Sequence, residues 1–211
     1  MMIETIADFA PEDVEAGVGL ALQDKSERYL FFLAGSRHTY PPGELFYAGI
    51  GGHREAGEDW MTCAQREATE EIGTQVEIIP ASITWHIPHQ GPIEQVELSD
   101  QPRPFALYEM IHPPQTPREG EIYRIVIYTA RLHAKPKDLP PDEVLGVIAL
   151  TTDQVIRGPE RKPSLAELLE EGASLIAGEE RVDLSVRLYP LGTARALAHI
   201  FRYCRPGAAV S

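Results

Sequence analysis

Residues 49–73 constrain this chain more than any other stretch. Gly49, Gly51 and Gly52 punctuate an apolar segment, an acidic turn follows, and from Asp59 to Ile72 the residues recur with a helical period. Asp59 is the expected N-cap and Gly73 the expected residue just past the end. Met61, Ala64, Ala68 and Ile72 fall on one stripe at spacings of 3, 4 and 4. Two of the four are alanines, which lets a helix approach a sheet closely. With the strand-like runs that precede and follow it, such a helix fits one α/β domain with a tail-end elaboration.

The same helix carries an unusual set of acids. At about 100° per residue, with Glu67 at 0°, Glu70 lies at about −60° and Glu71 at about +40°. The three carboxylates stand beside the apolar stripe, not opposite it. Glu67 and Glu71 are a like-charge i,i+4 pair that costs a few tenths of a kcal/mol on a surface and more when partly buried. A divalent cation would cancel that repulsion, and carboxylate oxygens are hard ligands of the kind magnesium takes. The competing explanation is a solvated face on which Arg66 pairs with Glu70. The glycines favour the first, because they bring bare backbone close to whatever the carboxylates hold.

The rest of the chain supplies the frame. Strand-like runs occur at 17–23, 28–33, 76–79, 83–87, 105–111, 122–132 and 144–150, separated by turns rich in proline. Helical patterns return at 164–171 and at 190–203, the second opened by Pro190 in a first-turn position. No linker marks a boundary, so residues 1–157 are expected to form one domain and residues 158–211 an extension packed on it.

Composition removes several classes. The formal net charge is −13, from 19 basic and 32 acidic residues, and residues 158–211 are balanced, so the excess lies in residues 1–157. A nucleic-acid partner, which needs a basic stripe, is not expected. No apolar run approaches the ~18 residues of a membrane span, and the first residues are acidic where a leader would be basic. A cytoplasmic location follows as the expectation. Two cysteines, Cys63 and Cys204, make neither a disulfide framework nor a zinc cage. Any metal should therefore have oxygen ligands, which points to magnesium or manganese.

The stretch from Gly52 to Thr74 resembles the signature of the Nudix hydrolases, G-x5-E-x7-R-E-U-x-E-E-x-G-U, with U a bulky aliphatic residue. Gly52, Glu58, Arg66, Glu67, Glu70, Glu71 and Gly73 fill the fixed positions. Ala68 and Thr74 depart at two packing positions. The resemblance implies an α/β/α sandwich around a mixed β-sheet, here with a C-terminal helical elaboration. It also implies magnesium- or manganese-dependent hydrolysis of a nucleoside diphosphate linked to another group.

By that resemblance Glu67, Glu70 and Glu71 are metal ligands, joined by the backbone carbonyl of Gly51, while Arg66 and Glu58 brace the carboxylates. The general base is then a signature glutamate such as Glu70 or an acid from a later loop. Glu143, just ahead of the run VLGVIAL, is the later-loop candidate, with Glu119 and Glu121 behind it. Arg37, at the end of the second strand, could reach a phosphate, and Phe46 and Tyr47 are candidate platforms for a nucleobase. The expected partner is a small nucleotide-derived substrate. The C-terminal residues could cover the cleft, form a homodimer interface or extend the core. The intact acids favour an enzyme over a non-catalytic nucleotide-sensing domain of the same family.

Overall fold

Apolar runs without alternation mark strands covered on both faces, and three are buried along nearly their whole length: β1 (Ala16–Gln23), β2 (Tyr29–Ala34) and β9 (Val144–Leu150). The computed structural model describes residues 3–112, 114 and 118–205. A four-residue helix, α1 (Ile6–Phe9), precedes β1, and β3 (Glu44–Ala48) leads into the glycine segment and then α2 (Trp60–Ile72). After α2 come β4 (Val76–Ile79), β5 (Thr84–Ile87), β6 (Glu94–Val96), β7 (Ala106–Ile111) and β8 (Ile122–Leu132). Beyond β9 lie α3 (Thr152–Arg161), α4 (Leu165–Glu170), β10 (Ser174–Ala177), β11 (Arg187–Pro190) and α5 (Gly192–Tyr203).

The strands form one mixed sheet whose main path runs β10-β9-β2-β1-β8-β7-β5-β6. β1 and β8 pair in parallel from Ala16↔Arg124 to Gln23↔Arg131. β2 pairs antiparallel with β9 on one side and meets β3 at Phe32↔Ala48 and Leu33↔Tyr47. α2 and α5 both pack against β1. The segment after β3 is held between these helices, because Gly49 faces Thr193 of α5 and Gly52 faces Glu67 of α2. This is the mixed-sheet α/β architecture expected from the sequence. Among the described residues, no helix is long and apolar enough to cross a membrane.

Two differences from the sequence pattern have clear causes. Pro190 does not open a helix. It ends β11, which lies parallel to β3 with Pro190 opposite Tyr47, on an edge where proline's missing N–H costs nothing. The Leu191 N–H then donates to the Tyr47 carbonyl at 2.9 Å, and α5 begins at Gly192. Second, α3 is an unannounced helix, because Gly158 and Pro159 lie inside it. It forms nevertheless from a capping box in which Thr151 and Gln154 exchange hydrogen bonds, and the Gln154 amide donates to the Leu168 carbonyl at 3.0 Å. The expected boundary between residues 157 and 158 falls within this helix, and the residues beyond it add two strands to the sheet.

Candidate active site

Local chemistry sets α2 in place at both ends. The Asp59 carboxylate accepts from the N–H groups of Met61 and Thr62, both at 3.0 Å. Gly73 ends the helix with φ 62°, a left-handed conformation suited to glycine. Cys63, Ala64, Ala68 and Ile72 are buried, and so is Glu71 at 8% exposure. Met61, expected on the apolar stripe, is only partly buried, and Cys63 takes its share of the packing face.

The acids differ sharply in environment. Glu71 is buried, and its Oε2 accepts a hydrogen bond from the Gly51 N–H at 2.9 Å. Burial, with the neighbouring Glu67 charge adding to it, holds its carboxyl well above the usual carboxylate range. Glu67, whose side chain is 12% exposed, is likewise pushed up by burial, with Arg66 opposing the rise. Glu70 is open to solvent, its side chain 56% exposed.

Arg66 ties the group together. Its Nε and Nη2 donate to the two oxygens of Glu58 at 2.9 and 3.0 Å, a fork-to-fork pair. Nη1 reaches Glu67 at 2.8 Å and Glu70 at 3.1 Å, and Nη2 also donates to the His53 carbonyl at 2.9 Å. The Arg66 hydrogen bonds draw the Glu58 carboxyl down to about 2. Arg66 therefore joins the turn (His53, Glu58) to the acids of the helix.

Glycine provides the close approach. A Cβ on Gly52 would stand 2.6 Å from the Glu67 carboxyl carbon and from both its oxygens. Gly51 has φ +137°, which a residue with a side chain rarely adopts. The carbonyls of Ile50 and Gly52 accept from Leu20 and Val18 of β1 at 2.8 and 2.9 Å. The Tyr123 hydroxyl, which sequence reasoning missed, fills the space above Gly17 beside the Gly52 carbonyl, 2.1 Å from where a Gly17 Cβ would stand. A glycine near the start of a buried strand was the available signal.

Glu143 and Arg37 meet across two adjoining loops as an ion pair. The other two candidates are displaced. Tyr47 is 1% exposed, its ring 5.3 Å from Phe31 and its hydroxyl lodged against Gly158. Phe46 is buried between Phe32 and His38. Both belong to the core and present no platform, because β3 is covered by β11 and α5, with Gly158 of α3 against the Tyr47 hydroxyl. Glu119 and Glu121 lie exposed between β7 and β8.

Two carboxylates destabilised as ions by burial and by neighbouring acids have the chemistry that suits a hard cation. In the structure the acids are engaged elsewhere: Arg66 holds Glu67 and Glu70, and Gly51 holds Glu71. Accordingly, no three His, Cys, Asp or Glu side chains among the described residues are gathered to hold a metal ion. A cavity of about 680 Å³ opens beside the turn, bordered by Glu15, His53, Arg54, Trp60 and Arg118. One of about 670 Å³ between the β1–β2 turn and the end of β8 shares none of these residues.

A glycine-delivered helix bearing three acids braced by one arginine defines a class, and comparison with known proteins agrees. A family model described as the NUDIX domain matches residues 14–171. The chain belongs to the Nudix family and is an enzyme acting on pyrophosphate bonds. Similar solved structures include a Nudix hydrolase from Nitrosomonas europaea, with 17% identity, TM-score 0.44, and coverage of 67% of this chain and 74% of that one. The Deinococcus radiodurans protein DR0079 has 18% identity and TM-score 0.45, covering 90% and 83%. A C. elegans Ap4A hydrolase in a binary complex has 19% identity and TM-score 0.43, covering 68% and 85%. No curated protein matches the chain.

Proposed function

We propose that the chain hydrolyses the pyrophosphate bond of a small nucleoside-diphosphate derivative, of the nucleotide-sugar, ADP-ribose or (d)NTP class, and needs magnesium or manganese to do so. The observation that carries this reading is the placement of two largely buried carboxylates, Glu67 and Glu71, against the bare backbone of Gly51 and Gly52. Glu67, Glu70, Glu71 and the Gly51 carbonyl would hold the cation, which supplies positive charge toward phosphate oxygens and activates water. The Gly51 carbonyl suits the role, because the carbonyls on either side of it are spent on β1 while it accepts no such backbone bond among the described residues.

The side chains divide the remaining work. Arg66 holds Glu67 and Glu70 in register with the turn, a positioning role. Glu70, on the exposed helix face, or Glu143, in the loop before β9, would take a proton from the attacking water. Arg37 supplies a cation for phosphate in a chain that is otherwise strongly acidic. Both cysteines are unpaired, which fits a reducing, cytoplasmic setting.

The test is release of phosphate or nucleoside monophosphate with magnesium across ADP-ribose, NADH, nucleotide sugars, dinucleoside polyphosphates and (d)NTPs, beside Glu70→Gln. Glu70 is exposed, so that variant should keep its fold and lose activity by about 100-fold or more. Absence of turnover on every compound, with tight metal-independent binding of one, would replace this reading with a nucleotide-sensing domain.

A further inference from the structure

The loop after β2 and the loop before β9 are clasped at three points. Gly35 N–H donates to the Glu143 carbonyl at 2.7 Å, and Arg37 N–H donates to the Asp142 carbonyl at 2.8 Å. The third is the ion pair between the Arg37 and Glu143 side chains. Gly35 makes the clasp possible, since a Cβ there would stand 2.4 Å from the Asp142 carbonyl oxygen. The backbone bonds fix the loops, so the side chains can part without the loops separating. Arg37 remains 57% exposed and Glu143 28% exposed, open to an incoming ion. The clasp stands at the end of β2, where Ala34 pairs with Val144 of β9, and β2 lies beside β1, whose Val18 and Leu20 hold the Gly52 and Ile50 carbonyls.

A carboxylate and a phosphate compete for a guanidinium in the same geometry, two oxygens against two N–H groups. We infer that Glu143 is an internal competitor for the substrate: it occupies Arg37 in the free enzyme, and a substrate phosphate displaces it. The exchange does two things at once. It gives the phosphate a cation on an acidic protein, and it frees the Glu143 carboxylate only when substrate is present. The chain thereby ties the availability of an acid to occupancy of the site. This inference rests on the phosphate-anhydride reading above and deepens it.

The experiment is calorimetric titration of the full-length protein with inorganic pyrophosphate in the absence of metal, on the wild type, Arg37→Gln, Glu143→Gln and the double variant. The exposed pair is weak, so Glu143→Gln should bind pyrophosphate about three- to five-fold more tightly than the wild type. Arg37→Gln should bind more weakly, and in the double variant the gain from Glu143→Gln should vanish. With a panel substrate, Arg37→Gln should raise KM while Glu143→Gln lowers kcat and also KM. Equal affinity of Glu143→Gln and wild type, or a gain that persists without Arg37, overturns the competition even if hydrolysis is intact. Failure of the wild type to hydrolyse any panel substrate overturns the functional reading instead, and the titration still reports on the pair.

Discussion

Replacing Arg66 by glutamine should unfasten the turn from the helix, and the structure sets the size of the effect. Removing one partner of a fully buried ion pair costs ~3–5 kcal/mol, whereas an exposed pair contributes about 1 or less. Arg66 is 24% exposed and its partners Glu58 and Glu67 are 8% and 12% exposed, while Glu70 is largely solvated. The loss should fall at the lower end of the buried range, about 3 kcal/mol at pH 7. In a chain of this length that is a fall in Tm of roughly 6–12 °C. Acid should erase part of the difference. The Glu58 carboxyl is drawn from 4.5 to about 2 in the fold, so its pairing supports the native state fully above the ordinary value and is lost as pH falls through the lower one. Urea unfolding followed by circular dichroism at pH 7 and pH 3 should show the gap between wild type and Arg66→Gln narrowing by about half or more. A gap of the same size at both pH values, or one under about 1 kcal/mol at neutral pH, would refute the reasoning.

Two further outcomes follow from the same site. Gly52→Ala puts a methyl 2.6 Å from the Glu67 carboxylate. That carboxylate is the end of a flexible side chain, so stability should drop by only about 1 kcal/mol while kcat falls by at least about tenfold, which melting and steady-state assays will separate. Magnesium should raise the Tm of the wild type, by about 1.4 kcal/mol of stabilisation at tenfold excess over its Kd. The rise should shrink as pH falls, because Glu67 and Glu71, whose carboxyls are held above the usual range, then keep the proton that the cation must displace. Glu71→Gln should remove most of the magnesium effect, and an undiminished shift in that variant would exclude Glu71 as a ligand.

Legibility of the sequence tracked how local the controlling physics was. α2 could be read to the residue, since Asp59, Gly73 and the small apolar stripe act within one helix. The long strands β1, β8 and β9 were equally plain. The resemblance to the Nudix signature located the acids, but not their inequality. Whether Glu71 or Glu70 is buried depends on where Gly51 comes to rest, a contact across twenty residues. Tyr47 and Phe46 misled because the elements that cover β3, β11 and α5, arrive from the far end of the chain. Pro190 misled because proline suits a helix's first turn and an edge strand alike. The Arg37–Glu143 pair joins two loops that only the β2–β9 pairing brings together.

The parallel pairing of β3 with β11 has a consequence for the order in which a ribosome can complete this enzyme. Residues 44–48, which lead into the glycine turn, emerge early, but their outer neighbour is residues 187–190. The Thr193 side chain that fills the hollow over Gly19 and Gly49 comes later still. Until then β3 presents an open edge of unpaired backbone, the kind of surface that recruits foreign strands. Long-range closure of this sort is slow, because the loop entropy must be met before the contacts form. The signature is therefore complete by Gly73, while the residues that clamp its turn arrive only at 187–203. A polypeptide released near residue 171 would carry every acid of the signature on a scaffold still missing its clamp.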